Sequence, residues 1–312
     1  MSFSVTIIIV SYKSAEDIRH CLAALETSTW DRFEVVICEN GGPEAFETLK
    51  ALPQALAGGQ PVKRFLSPGN LGYGGGVNFG IRYAPGANAY WILNPDTLPA
   101  ADALQALVAR LKQGDCMAVG HDLVGSEGDL ASASGEWKPW SARAISIGRG
   151  QRRLGGQDRA AVEARMNYIV GASMLVGRDF LDRVGEMRED YFLYCEEVEW
   201  CLRAMRSGIR LGYSEDAVVM HIQGTSTGGG GVLGEQSRTA VYLAERNRIL
   251  LTRDMFPARL PVTAPLSLAH LLIRYGKARA WRQMSFALSG WLAGLRGERG
   301  MPAWLQEAGS PV

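Results

Sequence analysis

The segment AYWILNPD, residues 89–96, joins an apolar strand to a polar turn. Its residues 90–93 are all apolar, which is typical of a strand that is buried on both faces. Pro95 has no N–H to donate to a neighbouring strand, so we expect the strand to end before it. Asp96 then lies just past the carboxyl end of a buried strand, which is where open α/β sheets bind ligands. An Asx turn that only caps the strand is the alternative interpretation.

Strands and helices alternate through the first hundred residues. Residues 5–10, VTIIIV, form a continuous apolar run, and Ile18, Leu22 and Leu25 then recur at the spacing of a helix. This alternation predicts an α/β fold with a mostly parallel, doubly wound sheet. The polar stretch 125–165 is predicted to be a long loop, either mobile over a site or a surface elaboration. Further strands are predicted at residues 34–38, 62–66, 117–120, 168–176 and 213–220, and further helices at residues 43–56, 100–112 and 241–255.

The composition is that of a globular protein, with 47% hydrophobic and 21% charged residues in a chain of 312. A formal net charge of +1 gives no reason to expect a nucleic-acid partner. The 5 cysteines are scattered without a CxxC pair, which favours a reducing, cytoplasmic compartment without disulfides or a zinc site. No basic region precedes the first apolar run, so we interpret the amino terminus as a strand and not as a signal peptide. No uncharged apolar run approaches the roughly 20 residues of a membrane span.

Four polar segments each follow a predicted strand, namely Ser11, Glu39, Asn70 and residues 94–96. Because the carboxyl ends of parallel strands share one edge of a sheet, we expect these segments to converge on one crevice. The glycine-rich segment NLGYGGGVNFG, residues 70–80, matches neither the dinucleotide-binding fingerprint nor a P-loop. It is predicted to be either a loop that approaches a ligand closely or a turn that caps the following helix.

A cluster of three carboxylates lies in FLYCEEVEWCLR, residues 192–203. Glu196 and Glu197 open a predicted helix, and the aromatic residues before them can desolvate a carboxylate and raise its pKa toward that of a general base. A solvated helix start, favoured by the helix dipole, is the alternative. Glu199 and Arg203 have the spacing of an i,i+4 ion pair.

Two further segments carry candidate ligand-binding residues. Residues 171–173, Gly-Ala-Ser, are small enough to let a sugar approach the backbone, although simple strand packing explains them equally well. His221 follows the apolar segment 213–220 and is either a satisfied polar residue at a strand end or a metal ligand.

Taken in order, these motifs resemble those of the family 2 inverting glycosyltransferases, which have the GT-A fold. The similarity covers about residues 3–250 and is strongest to the rhamnosyltransferase-like branch, which builds bacterial cell-surface glycans. The motifs are VTIIIVSY at 5–12, ENG at 39–41, NLGYGGGVNFG at 70–80, LNPD at 93–96, GAS at 171–173, FLYCEEVEWCLR at 192–203 and MH at 220–221.

The resemblance implies a role for individual residues. Asp96 corresponds to the metal-binding carboxylate of the D-x-D element, Asn94 replaces the first acid of that element, and His221 resembles a late ligand for Mg²⁺ or Mn²⁺. Glu197 takes the place of the catalytic Asp in the family's acidic pair, beside Glu196. The other expected contacts are Ser11, Tyr12 and Glu39 to the nucleotide base, Asn70, Gly72, Tyr73, Gly74, Gly75 and Asn78 to the nucleotide and donor sugar, and Gly171, Ala172, Ser173 and Trp200 to the acceptor.

The resemblance predicts transfer, with inversion, of a sugar such as L-rhamnose from dTDP-rhamnose to a glycan or a polyprenyl-diphosphate-linked acceptor. A UDP- or GDP-sugar is the alternative donor. A nucleotidyltransferase is the alternative enzyme, but these enzymes usually carry a glycine-rich loop after the first strand, and SYKS at residues 11–14 has no glycine. A non-catalytic sugar-binding homologue is the third interpretation, which only Glu197 in place of Asp favours.

The carboxy-terminal region departs from the α/β alternation. Its apolar segments 266–273 and 286–292 are interleaved with basic residues, a pattern that suits helices lying on a bilayer surface. A helical appendage packed on the catalytic domain and a homodimer interface are the alternatives. The expected location is therefore cytoplasmic, with peripheral association at the inner membrane face left open. The predicted domains are a GT-A catalytic domain at 1–225, made of a nucleotide-sugar half at 1–97 and an acceptor half at 98–225, and a helical region at 226–312.

Overall fold

The computed structural model of the protein describes residues 3–153, 155–222 and 232–309. The strands are β1 (Val5–Ser11), β2 (Phe33–Glu39), β3 (Val62–Leu66), β4 (Ala89–Leu93), β5 (Thr97–Pro99), β6 (Ala118–Val124), β7 (Leu130–Ser132), β8 (Gly135–Lys138), β9 (Arg143–Ser146), β10 (Ser173–Gly177) and β11 (Leu211–His221). The helices are α1 (Ala15–Leu25), α2 (Pro43–Leu49), α3 (Gly72–Arg82), α4 (Ala103–Leu111), α5 (Arg159–Arg165), α6 (Arg178–Val184), α7 (Glu196–Arg206), α8 (Arg238–Met255), α9 (Leu260–Lys277), α10 (Trp281–Arg296) and α11 (Ala303–Gly309).

A nine-stranded sheet is the centre of the fold. Its strand order is β3-β2-β1-β4-β10-β6-β11-β5, and β7 pairs with β6 at the side. Strands β3, β2, β1 and β4 are parallel, as the alternation of the first hundred residues predicts. Strand β10 enters antiparallel between β4 and β6, and β5 is antiparallel to β11. The sheet is therefore mixed, but β6 and β11 are parallel to each other and run in the same direction as β1 and β4, so the prediction of a mostly parallel sheet is confirmed.

Helices cover both faces of the sheet. Ile7 and Ile9 of β1 point to one face, where they pack in a cluster with Leu22 of α1. Ile8 points to the opposite face and packs with Val77 of α3. The three isoleucines are 0% exposed, and full burial of each such side chain stabilises the fold by about 1.5–3 kcal/mol. The unbroken apolar run of β1 therefore reflects burial on two faces rather than one.

Three predicted elements differ from the structure. The stretch 125–165 is not a long loop, because it contains β7, the antiparallel hairpin of β8 and β9, and α5. Helix α2 ends at Leu49 rather than near residue 56, since Pro53 has no N–H for a helical hydrogen bond and disfavours a helical conformation in the residue before it. The strand predicted at 168–176 begins only at Ser173.

The carboxy-terminal helices pack against the sheet region and against each other. Leu250 and Leu251 of α8 belong to the same buried cluster as Tyr191 and the sheet residues of one face. Helix α10 lies very close to α8, since a Cβ atom added at Gly290 would lie 2.2 Å from a carbonyl oxygen of α8. No single helix of the described residues is long and apolar enough to cross a bilayer, and α8 with Pro257–Lys277 meets that test only as a pair bent by 117°. The predicted domain boundary at residue 225 lies outside the described residues.

Candidate active site

A cavity of about 850 Å³ opens at the carboxyl ends of β1 and β4. Asn70, Asn94 and Asp96 line it, together with Tyr12 and Asn40, which directly follow β1 and β2. The polar turns that follow four strands thus converge on one crevice, as the sequence predicts. We call this cavity the cleft.

Asp96 and His221 form a pair in the cleft. Strand β5 pairs antiparallel with β11, so that His221 lies opposite Thr97, the residue after Asp96. The Asp96 carbonyl also accepts a hydrogen bond of 2.9 Å from the N–H of Ile222. As a result, Asp96 Oδ1 and His221 Nε2 are 3.3 Å apart, with side chains only 10% and 16% exposed. Two elements distant in sequence therefore present one carboxylate and one imidazole side by side.

The Asp96–His221 pair suits a divalent cation that takes most of its coordination from the phosphate oxygens of a bound substrate and from water. The described residues hold no group of three or more His, Cys, Asp or Glu side chains that could enclose a metal ion. Mg²⁺ and Mn²⁺ sites commonly take one or two protein ligands and complete the shell with phosphate oxygens and water. In the same cleft, Asn94 Oδ1 is buried without a hydrogen-bond partner in the described residues, so it would be available to a ligand bound there.

Ser11 and Glu39 lie below the cleft surface. Both are 0% exposed, and the Ser11 hydroxyl donates to one carboxylate oxygen of Glu39. The other oxygen accepts from the backbone N–H groups of Lys13, at 3.1 Å, and Gly41, at 2.6 Å. In this conformation Glu39 braces the turns after β1 and β2, so its predicted contact with a nucleotide base is indirect. The half-exposed Tyr12 is the residue of this group that faces the cleft.

The glycine-rich segment forms α3 rather than a loop. Gly72 has a φ of +73°, and a Cβ atom there would lie 2.1 Å from the Phe192 carbonyl oxygen. Gly74 similarly faces the backbone of residue 188, and Gly75 is buried within α3. Asn78 donates to the carbonyl of Met187 at 2.8 Å. These glycines serve the close packing of protein segments, so the predicted donor contacts of Gly74, Gly75 and Asn78 are wrong, whereas Asn70, Gly72 and Tyr73 do line the cleft.

The acidic pair stands at the start of α7 and faces the cleft. Burial raises the pKa of Glu196 above the ordinary range of a glutamate, and the charge of Glu197 raises it further. Burial also raises the pKa of Glu197. Glu196 Oε2 has no hydrogen-bond partner in the described residues. The start of α7 is therefore not a solvated helix end, and at least one of these carboxyl groups has the proton affinity that a general base needs near neutral pH.

Gly171 packs directly against Glu197. A Cβ atom at Gly171 would lie 3.3 Å from Glu197 Cγ, tighter than ordinary packing. The Tyr73 hydroxyl donates to the Gly171 carbonyl, and the Asn94 N–H donates to the Ala172 carbonyl at 2.8 Å. Gly171 and Ala172 therefore line the cleft and contact both the acidic pair and the turn at residues 94–96.

The other two predicted acceptor contacts are wrong. Ser173 is 1% exposed, and its hydroxyl bonds to the ring nitrogens of Trp91, at 2.8 Å, and His121, at 2.6 Å. Trp200 is 0% exposed, packs edge-on against Phe180 and donates to a backbone carbonyl. Both residues stabilise the core and cannot touch an acceptor in the cleft.

Sequence reasoning assigned no role to Asn247, although this residue supports the acidic pair. The segment before the pair is strained, since Phe192, Tyr194 and Cys195 have φ values of 68°, 74° and 70°. Such conformations cost of order 1–3 kcal/mol each. Asn247 Nδ2 lies 2.9, 2.7 and 2.8 Å from the carbonyl oxygens of residues 191, 193 and 194. Arg246, which is 1% exposed, donates to the same carbonyl of residue 191 and bonds to Asn247 Oδ1.

Helices α8 and α9 also form a wall of the cleft, which the sequence did not predict. The side chains of this wall that carry charge are Glu245, Arg248 and Arg274. Their approach to the cleft depends on the packing of α8 against α10 and α9, which no local pattern reveals.

Known proteins resemble this chain in sequence and in fold. The sequence profile of Glycosyl transferase family 2 matches residues 6–164. The chain is 25% identical to the low-salt glycan biosynthesis hexosyltransferase Agl10 of Haloferax volcanii, over 80% of this chain and 76% of the relative. It is 24% identical to the N-acetylglucosaminyl-diphospho-decaprenol L-rhamnosyltransferase of Mycobacterium tuberculosis, over 89% and 95%. The mannosyltransferase PcManGT of Pyrobaculum calidifontis, solved with GDP-Man and Mn²⁺, superposes with a TM-score of 0.53 at 16% identity, over 93% and 86%.

The fold and the cleft define a transferase of the GT-A type. The protein belongs to glycosyltransferase family 2.

Proposed function

We propose that the protein is a metal-dependent, inverting glycosyltransferase whose donor is a nucleotide-diphosphate sugar and whose acceptor is a lipid-linked glycan. The observation that carries this proposal is that two functional pairs open onto one cleft. Asp96 and His221 provide a metal-binding pair, and Glu196 and Glu197 provide an acidic pair at the start of α7.

The chemistry assigns a different task to each pair. In a single in-line displacement, an acceptor hydroxyl oxygen forms a bond to the anomeric carbon while the bond to the diphosphate breaks. Glu197 takes the proton of that hydroxyl, and the diphosphate leaves with the electron pair of the broken bond. Asp96 and His221 would hold a Mg²⁺ or Mn²⁺ ion, which would supply positive charge to the leaving diphosphate. Glu196 is more deeply buried than Glu197, its pKa is raised by burial and by the charge of Glu197, and its role is to orient the acceptor.

The donor is proposed to be dTDP-L-rhamnose. The support for this sugar is the relative named as an L-rhamnosyltransferase, which aligns over 89% of this chain. The likeness to a mannosyltransferase solved with GDP-Man supports a GDP-sugar as the second candidate. Tyr12, which is a predicted base contact, and Asn40, which follows the predicted contact Glu39, line the cleft and would select between the bases.

The acceptor is proposed to be a sugar on a polyprenyl diphosphate, reached at the inner membrane surface. Residues 255–297 contain six Lys or Arg and no Asp or Glu. On α9, Val262, Leu266 and Ile273 recur at helical spacing and are 47%, 52% and 56% exposed, and Trp281 is exposed just beyond that helix. A basic surface with a protruding apolar stripe and an exposed tryptophan suits an anionic bilayer. The relative that acts on N-acetylglucosaminyl-diphospho-decaprenol supports the same class of acceptor.

A donor panel tests the proposal. The full-length protein is incubated with Mn²⁺, N-acetylglucosaminyl-diphospho-prenol in detergent and one nucleotide sugar at a time, and products are identified by mass spectrometry. We expect one nucleotide sugar to yield a glycosylated lipid and a free nucleoside diphosphate. Release of pyrophosphate from a sugar phosphate and a nucleoside triphosphate would instead identify a nucleotidyltransferase. Binding of nucleotide sugars without turnover under any condition would identify a non-catalytic homologue.

A further inference from the structure

Two arginines share one carboxylate on the wall of the cleft that α8 and α9 form. Arg248 Nη1 lies 2.8 Å from Glu245 Oε1, and Arg274 Nη1 lies 3.9 Å from the same oxygen. Glu245 is almost fully buried, whereas the two arginine side chains are 25% and 37% exposed. All three residues line the cleft. One negative charge therefore balances only one of the two guanidinium groups.

His270 of α9 lies near these arginines. Burial lowers the pKa of His270 on α9, and the charges of Arg143, Arg248 and Arg274 lower it further. Arg143, at the start of β9, acts on His270 but does not line the cleft, so its charge is not counted with that of the site. With Glu245 as the balancing carboxylate, Arg248 and Arg274 leave one positive charge in excess on this wall of the cleft. A site of this charge is complementary to a diphosphate.

We propose that Arg248 and Arg274 bind the diphosphate group of the lipid-linked acceptor. This inference rests on the proposed function and adds to it the place where the acceptor is held. Guanidinium groups bind phosphate oxygens through two parallel N–H bonds, and two of them can engage both phosphates of a diphosphate. Asp96 and His221, elsewhere in the cleft, remain for the diphosphate of the donor. The cleft then contains two separate anion sites, one for each substrate.

The direction of α9 explains how the prenyl chain would leave the cleft. Arg274 faces the cleft, and its neighbour Ile273 belongs to the exposed apolar stripe of the same helix. A diphosphate held by Arg274 therefore lies next to the surface proposed to contact the bilayer. The chain can remain in the lipid while the sugar reaches the acidic pair, so the acceptor does not have to be extracted from the membrane.

Binding of farnesyl diphosphate, a short prenyl diphosphate, tests this site without requiring turnover. Isothermal titration calorimetry on the full-length protein is used with the wild type, Arg248→Gln, Arg274→Gln and the control Arg282→Gln. Arg282 is an exposed arginine of the same basic region that does not line the cleft. We expect each cleft variant to weaken farnesyl diphosphate binding about tenfold or more, since each removes charge-assisted hydrogen bonds. We expect Arg282→Gln to stay within about twofold of the wild type.

Further titrations separate the sources of any change. Binding of the nucleoside diphosphate with Mn²⁺ should stay within about twofold in both cleft variants, because the donor site uses other residues. Arg274→Lys should restore part of the lost affinity, since it keeps the charge without the planar fork. Unchanged farnesyl diphosphate affinity in Arg274→Gln, an equal loss in Arg282→Gln, or a parallel loss of nucleotide affinity would each overturn the assignment. If the protein transferred no sugar at all, the proposed function would be disproved, but the farnesyl diphosphate affinities of the variants could still be interpreted.

Discussion

Substituting Asn247 by alanine removes the donor that holds the strained segment before the acidic pair. Asn247 Nδ2 has two hydrogens within reach of three carbonyl oxygens, at 2.9, 2.7 and 2.8 Å. Losing two neutral hydrogen bonds and leaving a buried carbonyl unpaired costs about 2–4 kcal/mol. A melting temperature lower by about 4–8 °C is expected from a cost of that size. The three residues with positive φ can then relax, and Glu197 moves with them.

The expected kinetic effect is a fall in kcat of about 10–100-fold with little change in the donor KM, because a shift of about 1 Å in a reacting group has effects of this order. Initial rates of nucleoside diphosphate release, measured well below the melting temperature, report both constants. Asn88→Ala is the matched control, since Asn88 bonds to Ser4 at the amino end of the sheet, far from the cleft. If kcat in Asn247→Ala falls no further than in Asn88→Ala, Asn247 contributes only to stability and the positioning argument fails.

Three other predictions follow from the site. Asp96→Asn should lower the Mn²⁺-dependent affinity for the nucleoside diphosphate about tenfold or more, whereas binding without metal should not change. Equal calorimetric affinities of the wild type and Asp96→Asn in the presence of Mn²⁺ would exclude Asp96 as a metal ligand. Burial raises the pKa of Glu197, and a general base must be deprotonated to act. The value of kcat should therefore keep rising as the pH increases above the ordinary glutamate pKa of about 4.3. A pH profile of kcat that is already level near pH 5 would contradict this. Leu266→Glu should weaken sedimentation with anionic liposomes but not nucleotide binding, and full retention on the liposomes would argue against α9 as the membrane contact.

The central strands and the edge that carries the site could be predicted from the sequence. The continuous apolar runs of β1 and β4 indicate strands buried on both faces, and this pattern can be recognised within each run alone. The place of Asp96 past the end of β4 follows from Pro95 and from the general geometry of parallel sheets. The pairing of Asp96 with His221 was suggested by resemblance, and its distance depends on the antiparallel register of β5 and β11, which no local signal specifies.

The errors arose where tertiary packing decides the role of a residue. The glycines of α3 correctly indicated that another group lies close to the backbone, but that group is the segment around Phe192 and not a ligand. Trp200 shares its helix with Glu197, yet it points to the core because α7 packs that face against Phe180. Asn247 was missed because its partners lie more than fifty residues earlier in the chain, and only the folded structure brings them together.

The most direct test of the account is the turnover of Glu197→Gln on the donor and acceptor found in the panel. The substitution keeps the size of the side chain and removes the base. We expect kcat to fall about 10²–10⁴-fold while donor affinity, measured by calorimetry with Mn²⁺, stays close to that of the wild type. Glu196→Gln, measured in parallel, should retain more activity. Near-normal turnover in Glu197→Gln, with activity abolished in Glu196→Gln, would contradict the assignment and give the role of base to Glu196.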